Sequence, residues 1–306
     1  MSARAGEQEQ TFSTADRAQA AGTPSLSYWQ RAYRHLRHDR VTIFAIVLLL
    51  LVTLLSLAAP LFGHLLNKDP AMQDLLSRLE KPSHAHWLGT DELGRDILIR
   101  LLYAGRISLL IGVLAMLTSL VIGVSLGVLG GFFRRWVDDA INGLIQTTLN
   151  IPLLFLLILL SVVFSPGVIG LALILGLFSW QGTARQVRAV VLSVSQRDYI
   201  DAARVLGSSN GRLMFRHIFP NVISTVLVVA GFDIAGAILA ESGLSALGFG
   251  VQPPTASWGN MLSKSFQYAL KAPWLVVSPG VMIFLTVLSV FLIADGLRDA
   301  LDPRIS

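Results

Sequence analysis

The 306-residue chain contains no cysteine. That excludes disulfides, thiolate metal sites and a cysteine nucleophile. Charge is scarce as well. Asp, Glu, Lys and Arg make up 14% of the residues, against 53% hydrophobic ones. A soluble chain of this length needs far more charge to cover its surface. The sequence has no G-x-x-x-x-G-K-[ST] phosphate loop, so ATP is not expected on this chain. It has no H-E-x-x-H zinc pattern either. "GLSALG", starting at Gly243, is not a G-x-S-x-G, and no histidine follows His217. Both facts disfavour a hydrolase built on Ser245. His84 and His86 form an H-x-H pair, but two ligands with no neighbouring Cys or Glu set read as an ordinary loop.

What the chain has in quantity is long uncharged runs. Val41 to Asn67, Ile107 to Phe133 and Ala272 to Ala294 hold no Asp, Glu, Lys or Arg. Ala140 to Ala184 holds none either, and it is long enough for two crossings at about 20 residues each. Ser165-Pro166-Gly167 supplies the turn between them. Ile218 to Ala240 is apolar except for Asp233. The fold class expected is an all-α polytopic membrane protein. Its six transmembrane helices fall at about 41–62, 105–131, 139–163, 167–187, 218–240 and 274–294.

Basic residues near span ends set orientation. With the N-terminus inside, inner segments hold 16 Lys and Arg and outer segments hold 8. Both termini are therefore expected in the cytoplasm. The net charge of +5 does not point to nucleic acid, because the charges sit beside apolar spans. Residues 1–27 are polar, Ala/Gln/Ser/Thr-rich and expected to be a disordered tail. Residues 28–40 read as a basic amphipathic lead-in on the membrane surface, and 41–306 as the membrane domain. About 40 residues precede the first span, whose apolar core exceeds the roughly 7–15 residues of a signal peptide, so it reads as a retained span.

Inside the spans, Gly123, Gly127 and Gly131 recur at spacing four, which places them on one helix face for close helix packing. Asn142, Gln146 and Asn150 form a polar stripe at the same spacing. Amides in a bilayer must find partners, so the stripe is either interhelical glue or the wall of a hydrated pathway. Pro152 follows it and is expected to kink the helix. Asp233 invites an ion-coupling role. With no second acid or histidine near it in the spans, a local structural pairing is the better reading. Between the first two long runs, Thr90 is expected to cap a short surface helix opening with Asp91 and Glu92.

The segment "DYIDAARVLGSSNGRLMFRHIFPN" (Asp198–Asn221) places charge between two spans, on the expected cytoplasmic side. Ser195 is suited to capping a first helix, and Gly207 to ending it in a left-handed conformation. Ser208, Ser209 and Asn210 are suited to capping a second helix that ends before Pro220. Ala202 and Ala203 allow a close approach, and Tyr199, Ala203 and Leu206 share a face.

"DAARVLG" followed by "HIFPN" resembles the cytoplasmic loop signature of ABC importer permeases: E-A-A, three residues, Gly, then nine more before I-x-L-P. Asp201, Ala202, Ala203, Gly207 and Pro220 match. Asp201 stands for Glu, His217 for Ile and Phe219 for Leu. "GTDELGRDILIRLLYAGRISL" (Gly89–Leu109), "VQPPTASWG" (Val251–Gly259) and "DGLRDALDPR" (Asp295–Arg304) extend the resemblance to roughly residues 30–304. They are similar to the second, C-type permease of the dipeptide/oligopeptide/nickel importer family.

The resemblance implies a type I ABC importer permease fold in a bacterial or archaeal inner membrane. It implies a non-enzymatic subunit that works with a homologous permease, two ATP-binding subunits and an extracytoplasmic binding protein. It also implies that the chain carries no cofactor of its own and that ATP and magnesium sit on the partner chains. The loop 188–217 would couple to the ATPase through Asp201, Ala202, Ala203, Arg204, Leu206, Gly207 and Pro220. Peptide cargo is the first expectation. Nickel or glutathione-type cargo, and an ion-coupled secondary transporter, are the alternatives.

Overall fold

The computed structural model describes residues 28–301; the tail over 1–27 lies outside the described residues. The described chain is helical, and its β contact is an isolated bridge between Thr90 and Asp96. Helix α1 (Tyr28–His38) leads into α2 (Arg40–Leu57), then α3 (Ala59–Leu66). A long connection reaches α4 (Ile97–Phe133). Next come α5 (Arg135–Leu149), α6 (Leu153–Phe164), α7 (Val168–Leu177), α8 (Trp180–Val194) and the short α9 (Asp198–Val205). The last elements are α10 (Asn210–Ala246), α11 (Trp258–Ser263) and α12 (Trp274–Ala300).

Helices α2, α4, α10 and α12 are each long and apolar enough to cross a membrane. The pair α5–α6 bends by 78° and α7–α8 by 41°, and the candidate spans number up to six if each bent pair is one span. The expected kink at Pro152 is a full break. Helix α5 ends at Leu149, and Pro152, which has no N–H to donate, stands just ahead of α6. Phe155, Val162, Val163 and Phe164 are exposed along α6. In a bilayer such a face meets acyl chains and carries no hydrophobic penalty.

Helix α4 is the central element. It packs against α2, α7, α8 and α10. Its glycine stripe lies directly on α8: a Cβ on Gly123 would stand 2.7 Å from Thr183 Cβ, on Gly127 2.7 Å from the Ala184 carbonyl oxygen, and on Gly131 2.7 Å from Val191 Cβ. Real Cβ atoms do not come that close, so only glycine lets the two backbones meet here. Three apolar clusters then stack along the bundle. One surrounds Trp258, Leu101 and Ile238. A middle one holds Ile111, Leu157, Leu171 and Leu175. The third, at the opposite end, joins Val128, Val187, Val191, Ile200, Ile218 and Val222.

The connection before α4 differs from the sequence expectation. No helix begins at Thr90. The Asp91 carboxylate accepts the N–H groups of Leu93 and Arg95 and the Arg95 Nε–H, while Gly94 takes φ +73°. This Asx-type turn satisfies the backbone locally and outcompetes a helical start. The helix starts at Ile97, and its N-cap is Asp96, whose Oδ1 accepts from the Ile99 N–H at 3.1 Å. Asp96 Oδ2 also takes Lys68 Nζ at 2.5 Å and His86 Nδ1 at 2.9 Å. One carboxylate thus ties the helix start to two points of the preceding loop.

Two outcomes follow. Gly127→Ala should overpack the α4–α8 contact by about 1–3 kcal/mol and lower the amount of chain recovered from membranes. Gly143→Ala, where a Cβ meets nothing within 4 Å, should not; quantitative immunoblotting of the membrane fraction checks both. The second concerns acid. Burial pushes the Asp96 carboxyl up, but Lys68, the Ile99 N–H and His86 outweigh it and hold the group below its ordinary value. Its stabilisation is complete well above about pH 4 and is lost as pH falls through that value toward the depressed folded one. Asp96→Asn keeps a good N-cap but loses the charged pairing with Lys68 and His86, so it should remove that acid step and cost about 1 kcal/mol at neutral pH. Thermal unfolding midpoints of the detergent-solubilised chain, followed from pH 3 to 7, read both.

Candidate functional site

The Asp198–Asn221 segment forms a compact hairpin at one end of the bundle. Ser195 closes α8 and does not cap α9; the N-cap of α9 is Arg197, with no side-chain hydrogen bond. At its other end α9 stops as the sequence expects. Gly207 has φ +80°, its N–H reaches the Arg204 carbonyl at 3.0 Å, and the Ser208 N–H reaches the Ala203 carbonyl at 3.1 Å. That pair of bonds is a Schellman cap. Ser209 then caps the next helix by accepting the Arg212 N–H at 3.4 Å.

The second helix is not a separate segment ending before Pro220. It runs without a break from Asn210 to Ala246. A π turn over Leu213–Ile218 precedes Pro220. Proline donates no hydrogen bond and crowds the carbonyl four residues back, so a widened turn beneath it relieves the clash. The Asn221 side-chain amide donates to the His217 carbonyl at 2.7 Å and satisfies a group in the loosened turn.

Side-chain exposure divides this hairpin cleanly. Ile200 is fully buried and packs with Val191, Ile218 and Val222, pinning α9 between α8 and α10. Asp201, Ala202, Arg204, Leu206, Gly207 and Pro220 are exposed, and Ala203 is half-buried. Val205 is 88% and Leu206 86% exposed, so two aliphatic side chains stand free beside the alanines. Asp201 accepts from Arg204 Nη1 at 3.0 Å, and both are exposed. Such a pair contributes little to stability and leaves both charges available to another surface.

The amide stripe lies on α5. Ile141 and Ile145 face inward against Trp180 and Ala184. A two-point ion pair fastens the same helix to α8: Arg188 Nη2 meets Asp138 Oδ2 at 2.6 Å, and Nε meets Oδ1. Asn142 is half-buried, while Gln146 and Asn150 are exposed. None of the three amide side chains hydrogen-bonds within the described residues. They therefore do not glue this chain to itself.

Asp233, in the middle of α10, accepts Ser119 Oγ at 2.7 Å and Thr183 Oγ1 at 2.9 Å, both on its Oδ2. It ties α10 to α4 and α8 at one junction, and no second acid or histidine among the described residues hydrogen-bonds to it.

The sequence reading passed over Glu241, which stands one residue beyond the apolar run counted as the fifth span. It is completely buried. Its Oε1 accepts the Ser245 hydroxyl at 2.6 Å and the Ser257 hydroxyl at 2.7 Å. The available signal was an acid four residues before a serine, in a stretch otherwise made of small and apolar residues.

Comparison with known proteins places this architecture. The family model of the binding-protein-dependent transport system inner membrane component matches residues 92–306. The model of the N-terminal TM domain of oligopeptide transport permease C matches residues 27–82. The chain is 36% identical to the dipeptide transport system permease protein DppC of Alkalihalophilus pseudofirmus, covering 92% of this chain and 91% of that one. It is 35% identical to the oligopeptide transport system permease protein OppC of Bacillus subtilis, over 97% and 96% of the two chains. It is 36% identical to the glutathione transport system permease protein GsiD of Pectobacterium atrosepticum, over 94% of each. An exposed, small-faced hairpin on a bundle of apolar helices, matched along nearly its whole length, settles the assignment: the chain belongs to the binding-protein-dependent transport system inner membrane component family, in its C-type peptide permease branch.

Proposed function

We propose that the chain is one of two permease subunits of an ATP-driven importer for peptides or related small solutes. It crosses the cytoplasmic membrane six times, with each bent pair counted as one span, and both termini lie inside. Its partners are a homologous permease, two ATP-binding subunits that hold ATP and magnesium, and an extracytoplasmic binding protein. It performs no catalysis itself. The observation that carries this reading is the geometry of α9. Ile200 anchors the helix from below, while Ala202, Arg204, Val205 and Leu206 face outward and are exposed among the described residues. Exposed aliphatics beside alanines fit a groove on another protein. Because α9 is gripped by both α8 and α10, force applied to it enters two helices at once.

The unpaired amides support a second element of the same reading. Gln146 and Asn150 are exposed on a bundle that is apolar around them. An amide facing hydrocarbon alone is costly, so the stripe faces water or a partner helix. We assign Asn142, Gln146 and Asn150 to the wall of the pathway formed with the second permease. Relatives named for dipeptides, oligopeptides and glutathione share this scaffold, so cargo selection belongs mainly to the binding protein.

The test is direct. Ala203→Glu, or Gly207→Pro, should lower ATP-driven uptake by about tenfold or more while the chain still reaches the membrane, since each spoils a fitted contact or cap worth about 1–3 kcal/mol. Uptake into cells or proteoliposomes and co-purification of the ATP-binding subunits are measured together. If both survive unchanged, the coupling role of α9 is wrong.

A further inference from the structure

Helix α10 is one element from Asn210 to Ala246, so the α9 hairpin and the opposite, Trp258 end share a single rod. At the far end its last turns carry Glu241, Ser242 and Ser245. The segment 250–260 lies directly against them. A Cβ on Gly259 would stand 2.5 Å from Ser242 Cα, and one on Gly250 2.6 Å from Ser245 Cα. The hydroxyls in between act in both directions. Ser257 Oγ donates to Glu241 Oε1 and accepts the Asn260 N–H at 3.1 Å, capping α11. Ser245 Oγ donates to the same oxygen and accepts the Val251 N–H at 3.0 Å. Trp258, next in the chain, is fully buried; its N–H meets Ser108 Oγ at 3.1 Å and its indole N–H meets the Leu101 carbonyl at 3.0 Å, both on α4. One carboxyl oxygen thus organises the end of the rod, the cap laid over it and, one residue further, the central helix.

An acid is an expensive way to pack a helix end. An aliphatic side chain of similar volume would carry no desolvation cost, and a partly satisfied polar network is worse than an apolar core. Glu241 Oε2 and Ser242 Oγ are both buried, and neither makes a hydrogen bond of good geometry among the described residues. Packing alone therefore does not account for an acid here, whereas directional anchoring of Ser257 does. We propose that Glu241 is a positioning residue for transport. Its carboxyl locks the 250–260 cap to the end of α10, so that displacement of the α9 hairpin arrives at the opposite end of the chain as movement of the cap. This rests on the ATP-driven importer reading above.

The complete complex in proteoliposomes, with its binding protein and peptide, tests it. Four quantities are read for the wild type, Glu241→Ala, Glu241→Gln and Ser257→Ala: complex yield, basal ATPase, stimulation of ATPase by the binding protein, and uptake. Glu241→Ala should keep yield and basal ATPase and lose stimulation and uptake by about tenfold, as removal of a buried hydrogen-bond anchor allows. Ser257→Ala, which deletes one hydroxyl and is the mildest change for folding, should lose about threefold. Glu241→Gln keeps Oε1 as an acceptor for both hydroxyls and should recover at least half of the wild-type stimulation. Wild-type stimulation and uptake in Ser257→Ala would overturn the proposal. So would losses in all variants that merely track complex yield, because that is what a static structural role produces. A wild-type complex without ATP-dependent uptake would instead overturn the importer reading, and the role of Glu241 with it.

Discussion

The contact between α4 and α8 is the constraint on which the other placements depend. Three glycines at spacing four bring two helix backbones to a distance at which no side chain fits between them. In lipid, where hydrophobic burial does not draw helices together, this packing is the main source of association. Once α8 is set against α4, the rest of that end follows. Arg188 on α8 holds Asp138 on α5, which places the amide stripe. Val191 on α8 forms the floor on which Ile200 and the α9 hairpin sit. Thr183 on α8 and Ser119 on α4 reach the same carboxylate of α10.

Two acids inside the bundle sit at junctions between elements. Asp233 joins three helices near the middle, and Glu241 joins α10 to the cap at one end. Both use serine or threonine hydroxyls as donors, without a basic partner. Hydroxyls are short, so they hold helices close, and they rotate, so one oxygen can serve a carboxylate and a backbone N–H together. The ion-paired sites are different. Asp91, Glu92, Arg95 and Arg100 cluster in the connection before α4 and at its first turn, where several charges neutralise one another.

Much of this was legible in the sequence, and the reasons are physical. Uncharged runs announced helices because a bilayer leaves few other ways to satisfy a backbone. The end of α9 was legible because Gly207 and Ser209 have side chains, or lack them, in ways that only certain backbone turns use. The failures share one cause. Thr90, Ser195 and Pro220 were each read as helix boundaries from local chemistry, yet each had a competitor beyond the window. Asp91 captured the backbone that Thr90 would have capped. Ser195 was already the end of α8. A π turn absorbed Pro220 into a longer helix. Glu241 stayed invisible because its meaning lies in Ser257, sixteen residues away across a turn.

The π turn at Leu213–Ile218 has a geometric consequence for the hairpin. A π turn carries about one residue more than an α turn, and each residue of an α-helix advances about 100° around the axis. Everything before the turn is therefore clocked by roughly a quarter of a revolution relative to an uninterrupted helix. The face that α9 shows to the outside is set by that single surplus residue. A one-residue deletion there would leave every contact residue of α9 in the chain and aim them at a different neighbour.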